Sequence, residues 1–493
     1  MNLQAPLLLT PPVGVLDPTH EWLVIAGAAA SVALLGLGVA ILYRSTSGLL
    51  TVTPATLFAL YYVVFIFVGS VVLVFDRGEG AYFHIAGTRN YVLLFTVGAA
   101  PLALAAGVWL ANRWTGLRPG AELDAHWRSH WADAGPDRRF VARFAFLAVA
   151  CLVVSVAVLT LGPPPPLLYL LQHPSSHTFS FDLSLDHVRL TYLSPHAGAL
   201  PFQATLYQFY GNLMPLLSIV ALALAVRHGS RRWLLVGLGL LAVSFFMAAV
   251  TLTKNPVENL LVLLVVAWLW FGRRAIGPRQ ALGVTAVALG AFFAIVAVTN
   301  RSVSLGQLVT ATLRRLFLVQ AQVLYSIFEL IPARMGYLHG GAFWMDVRNL
   351  RPGPKSTLDF GTWLYSVIVS NEPGFSGVGS APTVFFGQLY ADFGVIGALL
   401  GMVAVGCAAQ LAFVWYLRQP RSIVTWAVFV GLTASIPRLA TSSIIAIGVQ
   451  YGIVASVLFG VYFADWRGLL ARLTRRRSTP APASFADANR EAG

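Results

Sequence analysis

Long apolar runs recur along the whole chain, separated by shorter polar segments. Eleven stand out, at 22–43, 55–75, 90–111, 144–162, 205–226, 233–252, 257–272, 281–300, 383–417, 422–437 and 443–464. A helix needs about twenty apolar residues to cross a bilayer, so each run predicts a membrane span and the fold class is an all-α polytopic membrane protein. The run at 383–417 is too long for one straight span and is expected to begin or end outside the hydrocarbon. One further apolar pattern, Leu305 to Leu330, carries a helical seam at Leu305, Leu308, Leu316, Val319, Val323, Ile327 and Leu330. Arg314 and Arg315 would lie near the centre of such a span, at about 2.5–3.5 kcal/mol each. An interfacial or re-entrant helix is therefore expected there, with Phe360 to Val369 as a second.

Composition agrees with the pattern: 57% of residues are hydrophobic and 11% charged, and the mean hydropathy is +0.73. The basic residues then orient the spans. With the N-terminus outside, the short loops on one side hold Arg44; Arg113, Arg118, Arg128, Arg138, Arg139 and Arg143; Arg227, Arg231 and Arg232; Arg273, Arg274 and Arg279; and Arg418 and Arg421. The C-terminal tail adds Arg467, Arg472, Arg475, Arg476, Arg477 and Arg490. Cytoplasmic loops carry the excess of Lys and Arg, so the expected topology is N-out and C-in. Residues 1–464 then form a single integral membrane domain with a first outer loop at 163–204 and a large one at 301–382. Residues 465–493 are a basic tail whose Pro-, Ala- and Ser-rich end, Ser478 to Gly493, is expected to be disordered.

The net charge of +14 is accounted for by that bias and by an arginine-rich tail suited to anionic lipid headgroups; it is no sign of a nucleic-acid partner. Residues 1–20 hold no Lys or Arg and lack the charged start of a cleavable signal. Cys151 and Cys407 both fall inside spans and read as packing residues, without a disulfide or metal framework.

The large outer loop breaks the charge rule. It carries Arg301, Arg314, Arg315, Arg334, Arg348, Arg351 and Lys355 on the side where cations should be scarce, which points to an anionic ligand such as a lipid-linked phosphate or pyrophosphate. Lys254 precedes Asn255-Pro256-Val257-Glu258, a helix start with Asn as N-cap and Glu258 reaching back. Free N–H groups there favour an anion, although a lysine ending a span also serves as a headgroup anchor. Arg301 follows a span at its rim, and Arg438, after Pro437, takes the matching place in the last outer hairpin. A guanidinium fork suits phosphate. Arg189, in the first outer loop, is a weaker candidate.

Glu329, His339, Asp346, Asp359 and Glu372 are outer-loop groups able to act as a general base, each with the alternative of an ordinary solvated side chain. Glu372, on the turn Ser370-Asn371-Glu372-Pro373-Gly374, is the first choice. Asp392, two turns into a span, is either a second base or an interhelical hydrogen-bonding group. Gly397 and Gly401 form a close-packing face. Trp344, Trp363 and Tyr365 could read sugars or anchor the interface. His173 and His177 have a metal-like spacing without a third ligand, and no Asp-x-Asp pair offers a seat for a divalent ion. No metal or other cofactor is expected.

From Gly379-Ser380-Ala381-Pro382-Thr383 through Gly387-Gln388-Leu389-Tyr390-Ala391-Asp392-Phe393-Gly394-Val395-Ile396-Gly397, the chain resembles the Wzy-type O-antigen, or oligosaccharide repeat-unit, polymerases. That family tends to show a Pro followed by Gly-x-x-Tyr-x-[Asn/Asp]-Phe-Gly at the start of a late span, after its largest outer loop. Pro382, Tyr390, Asp392 and Gly394 match it over about twenty residues. The chain departs from the family where many members place Ser-Arg-Gly, near its own Thr253-Lys254-Asn255-Pro256. The resemblance implies a metal-independent membrane glycosyltransferase of the C-type class, multi-pass in the bacterial inner membrane. Its substrate would be undecaprenyl-pyrophosphate-linked oligosaccharide, polymerised at the outer, periplasmic face in lipopolysaccharide or exopolysaccharide biosynthesis. Membrane lipids and a chain-length regulator are the implied partners. A ligase with another acceptor, or a flippase of lipid-linked sugar, is the alternative.

Overall fold

A computed structural model describes residues 18–46, 48–49, 51–75, 90–132, 135–162, 164–172, 203–251, 254–272, 283, 290, 304–333, 335–348, 359–369, 381, 384–449 and 452–464. Every regular element among them is helical. The chain begins with α1 (Pro18–Ser45) and α2 (Pro54–Tyr62), which runs through a π-helical turn at Val63–Phe67 into α3 (Val68–Phe75). Then come α4 (Asn90–Thr115), α5 (Pro119–Arg128), α6 (Arg138–Leu161), α7 (Pro166–Gln172), α8 (Gln203–His228), α9 (Arg231–Val250) and α10 (Lys254–Phe271). Four shorter helices follow: α11 (Leu305–Phe317), α12 (Val319–Leu330), α13 (Gly341–Arg348) and α14 (Phe360–Val369). The chain closes with α15 (Phe385–Arg418), α16 (Ile423–Ser435) continuing as a 3-10 turn at Ile436–Ala440, α17 (Ile444–Val449) and α18 (Ile453–Phe463).

Nine helical stretches among the described residues are long and apolar enough to cross a membrane, and Pro256–Phe271 is a shorter apolar helix. Together they answer ten of the expected spans. The remaining one, 281–300, lies outside the described residues except for helical positions 283 and 290. The protein is thus a membrane-embedded bundle of α-helices.

Hydrogen bonds at one end of the bundle collect the short basic loops. The Asn112 amide donates to the Ser45 carbonyl at 2.8 Å, and the Trp270 indole donates to the Val52 carbonyl at 2.7 Å. Arg418 donates to the Thr115 carbonyl at 2.6 Å, and Arg421 to the Trp127 carbonyl at 3.3 Å. The guanidiniums of Arg421 and Arg227 lie over the Trp131 ring, 4.5 and 5.3 Å from its centre. These contacts bring the ends of α1, α4, α8, α10 and α15 to the starts of α2 and α16, which we call the basic end.

The long run at 383–417 does not straighten into one span. Gly394 has φ +69° and ψ −161° inside α15, a backbone region essentially restricted to glycine. The chain reverses there. A Cβ on Gly401 would collide with Leu389 and approach Phe385, and one on Gly397 would collide with Phe393. A continuous helix would hold residues 389 and 401 about 18 Å apart. The short arm before Gly394 therefore folds back along the long arm after it. Asp392, expected two turns into a span, instead ends the short arm.

The Leu305–Leu330 pattern divides at Leu318 into two helices. In α11, Ser304 caps the start in a reciprocal box with Gln307, and Arg314 is exposed. In α12, every residue from Ala321 to Leu330 is buried. Gly69 lets this segment approach α3 closely, since a Cβ there would collide with the Phe317 carbonyl. The second half is therefore packed inside the bundle, whereas the first half keeps Arg314 exposed.

The core falls mainly into two apolar clusters. One holds residues of α2, α4, α12, α15 and the 3-10 turn. The other holds residues of α6, α8, α10, α16 and α18, with the last turns of α15.

Candidate functional site

A small polar group lies at the seam between these clusters. Arg438 sits in the 3-10 turn, and its Nη2 lies 4.0 Å from Oε1 of Glu258 in the first turns of α10. The Arg438 side chain is only 4% exposed, whereas that of Glu258 is 32% exposed. The Tyr61 hydroxyl, from α2, donates to the same Glu258 oxygen at 3.2 Å. A buried guanidinium needs a counter-charge, and Glu258 supplies it.

Arg438 is therefore not at the rim of the molecule. The α-helix of its span stops at Ser435 after 13 residues, and Pro437 continues it only as a tight 3-10 turn. Tyr61 is the eighth residue of α2, and about 21 Å of helix extends beyond it to Phe75, away from the basic end. The site is sunk into the bundle because three elements, α10, α16 and the short arm of α15, all begin or end near this level. Glu258 faces Tyr61 and Arg438 here instead of serving as the expected cap, and α10 begins at Lys254, one residue before the expected Asn255 cap. The start of α10 thus belongs to the same neighbourhood as Arg438.

The turn after Arg438 is tied to the Gly394 reversal. The Thr441 N–H donates to the Arg438 carbonyl at 2.9 Å, and the Phe385 N–H donates to the Ser442 carbonyl at 2.9 Å. Ser443 hydrogen-bonds the Asp346 carboxyl. Asp346 also accepts from the Phe360 N–H and from the Gln388 amide, both at 3.1 Å. One carboxyl thus joins α13, α14, the short arm of α15 and the turn that presents Arg438. Burial pushes the Asp346 carboxyl above the usual carboxylate range, while bonds from Ser443, Phe360 and Gln388 pull it back. Asp346 is not the solvated loop carboxylate expected from its position.

The folded protein holds the Asp346 proton to higher pH than the unfolded chain does. Its stabilising contribution is full below about pH 4, the value of a free Asp, and is lost as pH rises through the raised folded value. Thermal melting from pH 4 to 8 should show a downward slope in the wild type that Asp346→Asn lacks. A difference curve flat over that window would show that Asp346 does not contribute the slope.

At the other end of the short arm, Asp392 is fully buried. Its carboxylate accepts the Ala342 N–H at 2.9 Å and the Phe343 N–H at 3.2 Å, which caps the start of α13. In return, the Leu338 and His339 N–H groups donate to the Ala391 and Asp392 carbonyls. Seven residues separate Phe385 from Asp392, so the cap lies about 10 Å from the Ser442 contact. Asp392 holds the turn in place, at a distance from Arg438. Asp392→Asn would set an amide against one of the carboxylate's backbone donors and should cost about 1–3 kcal/mol, read as a lower melting temperature.

The other motif residues also build the reversal. Tyr390 stacks on Phe328 with ring centres 3.6 Å apart. A Cβ on Gly387 would press on Ile327 and Leu324. Asp359 caps α14 through the Thr362 N–H at 2.7 Å, Glu329 is buried, and His339 is exposed. Trp363 is buried and stacks on Phe360, while Trp344 is exposed and Tyr365 is partly buried. Cys151 and Cys407 are both free.

Arg301, Arg189, Glu372, Pro382, His173 and His177 lie outside the described residues. Two participants were missed in the sequence, Tyr61 and the pairing role of Glu258. The available signal was an acid and a base of opposite sign, Glu258 and Arg438, each near the end of an apolar run. Comparison with family models, with curated proteins and with solved structures gives no match.

Proposed function

We propose that the protein is a membrane glycosyltransferase that polymerises undecaprenyl-pyrophosphate-linked oligosaccharide units at the outer face of a bacterial inner membrane. The observation that carries this reading is the buried Arg438 beside the start of α10, a fixed cation sunk in a helical bundle. The basic end is taken as cytoplasmic by the positive-inside rule, which places the Arg438 turn toward the outer half. In the reaction, a hydroxyl of one lipid-linked unit attacks the anomeric carbon of another, and lipid pyrophosphate leaves. Charge builds on that leaving group, and preorganised cations in a partly dry site stabilise it. Arg438, Lys254 and Arg301 are assigned to the pyrophosphate, with Arg189 as an additional contact. Asp392, Tyr390 and Gly394 hold the turn that keeps the Arg438 hairpin in register.

The test is reconstitution of purified protein with a lipid-pyrophosphate oligosaccharide in EDTA, followed on a gel. A ladder of multiples is expected. Transfer only to an added lipid-core acceptor would make the protein a ligase.

A flippase of lipid-linked sugar is the second reading, favoured by one observation. The α-helix of α16 gives way to a 3-10 turn, and Gly452 at the start of α18 is left-handed with φ +101°, irregular helix ends of the kind transporters use at substrate sites. Labelled substrate crossing the bilayer without any new glycosidic bond would establish it and exclude the polymerase.

A further inference from the structure

We propose that Glu258 is the general base of the transfer, an inference that rests on the glycosyltransferase reading. Glu258 is far more exposed than Arg438, so of the pair it is the side chain that can meet a ligand first. Its two oxygens are unlike. Oε1 accepts from Tyr61 and faces Arg438, whereas Oε2 has no hydrogen-bond partner among the described residues.

The pairing with Arg438 suits a group that works once the donor is bound. At 4.0 Å the contact stands at the outer limit of an ion pair, and it must open to admit a sugar phosphate. The donor's pyrophosphate then takes over as counter-charge for Arg438, as the burial of that cation demands. Glu258 stays tethered to Tyr61 beside the anomeric carbon.

The step balances within these groups. The acceptor hydroxyl gives its proton to Glu258 Oε2 as its oxygen bonds the anomeric carbon. The bond from that carbon to the phosphate oxygen breaks, and its electron pair leaves on the pyrophosphate, held by Arg438. Glu258 afterwards releases the proton to water. Such proton transfer contributes roughly 10²–10⁴-fold.

The experiment measures donor binding and turnover separately in reconstituted vesicles, with a lipid-pyrophosphate oligosaccharide as probe. Glu258→Gln should bind the donor at least as tightly as the wild type while turnover falls about 100-fold or more. Turnover of Glu258→Ala should rise on addition of formate, a small carboxylate able to take the vacated place. A purely structural role would not give that rescue. Thermal melting of each variant runs in parallel. If neither variant folds, Glu258→Asp carries the test, with retained donor binding and turnover lowered at least tenfold expected.

Turnover of Glu258→Gln, or of Glu258→Asp in the fallback, within threefold of the wild type would overturn the proposal and leave the polymerase standing. Loss of turnover in Glu372→Gln, with Glu258→Ala indifferent to formate, would give the role to Glu372. A wild type that makes no glycosidic bond removes the polymerase reading and this inference with it.

Discussion

Gly394→Ala is expected to be the most damaging single substitution for folding. The residue adopts φ +69° and ψ −161°, and holding a side chain in such a region costs on the order of 1–3 kcal/mol. The new methyl would also meet the Tyr337 hydroxyl at 3.0 Å and its ring at 3.1 and 3.3 Å. Alanine further favours a straight helix through the turn, which would carry Phe385 away from Ser442 and Asp392 away from α13. A loss of at least about 2 kcal/mol follows, visible as a lower melting temperature in detergent. The double variant Gly394→Ala/Tyr337→Ala separates the two causes. Clearing the ring should restore little, because the strain is in the backbone. Near-complete recovery would show that the clash dominates and that the turn tolerates a side chain.

Arg438 should show the largest effect on activity. Removing one preorganised group that stabilises transition-state charge costs roughly 10²–10³-fold in turnover, and Arg438→Ala is expected to lose that much of the ladder. The cost in stability should be smaller than the ~3–5 kcal/mol typical of a wholly buried broken pair, because Glu258 is 32% exposed and can turn to water. Arg438→Lys is the sharper experiment. It keeps the positive charge but gives up the planar fork that binds two phosphate oxygens at once, so the protein should stay folded while donor affinity drops at least about tenfold. Normal affinity in the lysine variant would make Arg438 a structural counter-ion for Glu258 and remove the main support for a pyrophosphate site there.

The two residues are linked through the chain. The short arm that Gly394 turns back begins at Phe385, whose N–H is held by the Ser442 carbonyl in the turn after Arg438. Asp346 and Gln388 brace the same junction. Damage to the reversal is therefore expected to lower activity as well as stability, whereas Arg438→Lys should affect activity alone.

Helix placement was legible because span length and apolarity are local quantities. Runs such as 55–75, 144–162 and 233–252 declare themselves against the thickness of a bilayer. The grouping of Arg113, Arg227 and Arg418 at one end likewise follows from counting charges between spans. Direction and depth are different. Nothing local in Asp392-Phe393-Gly394-Val395 says that the chain doubles back, since glycine also occurs within spans; the reversal exists because Leu389 and Phe385 find space against Gly401. Nor does Pro437-Arg438 reveal a cation buried beside Tyr61, because that depth is set by where α10 and α16 stop relative to α2. Glu258 read as a cap by its spacing and became a counter-ion when folding brought a residue 180 positions later in the chain to its side. Local patterns determine which segments are helices, while contacts between segments distant in sequence determine which way they run and what their polar ends meet.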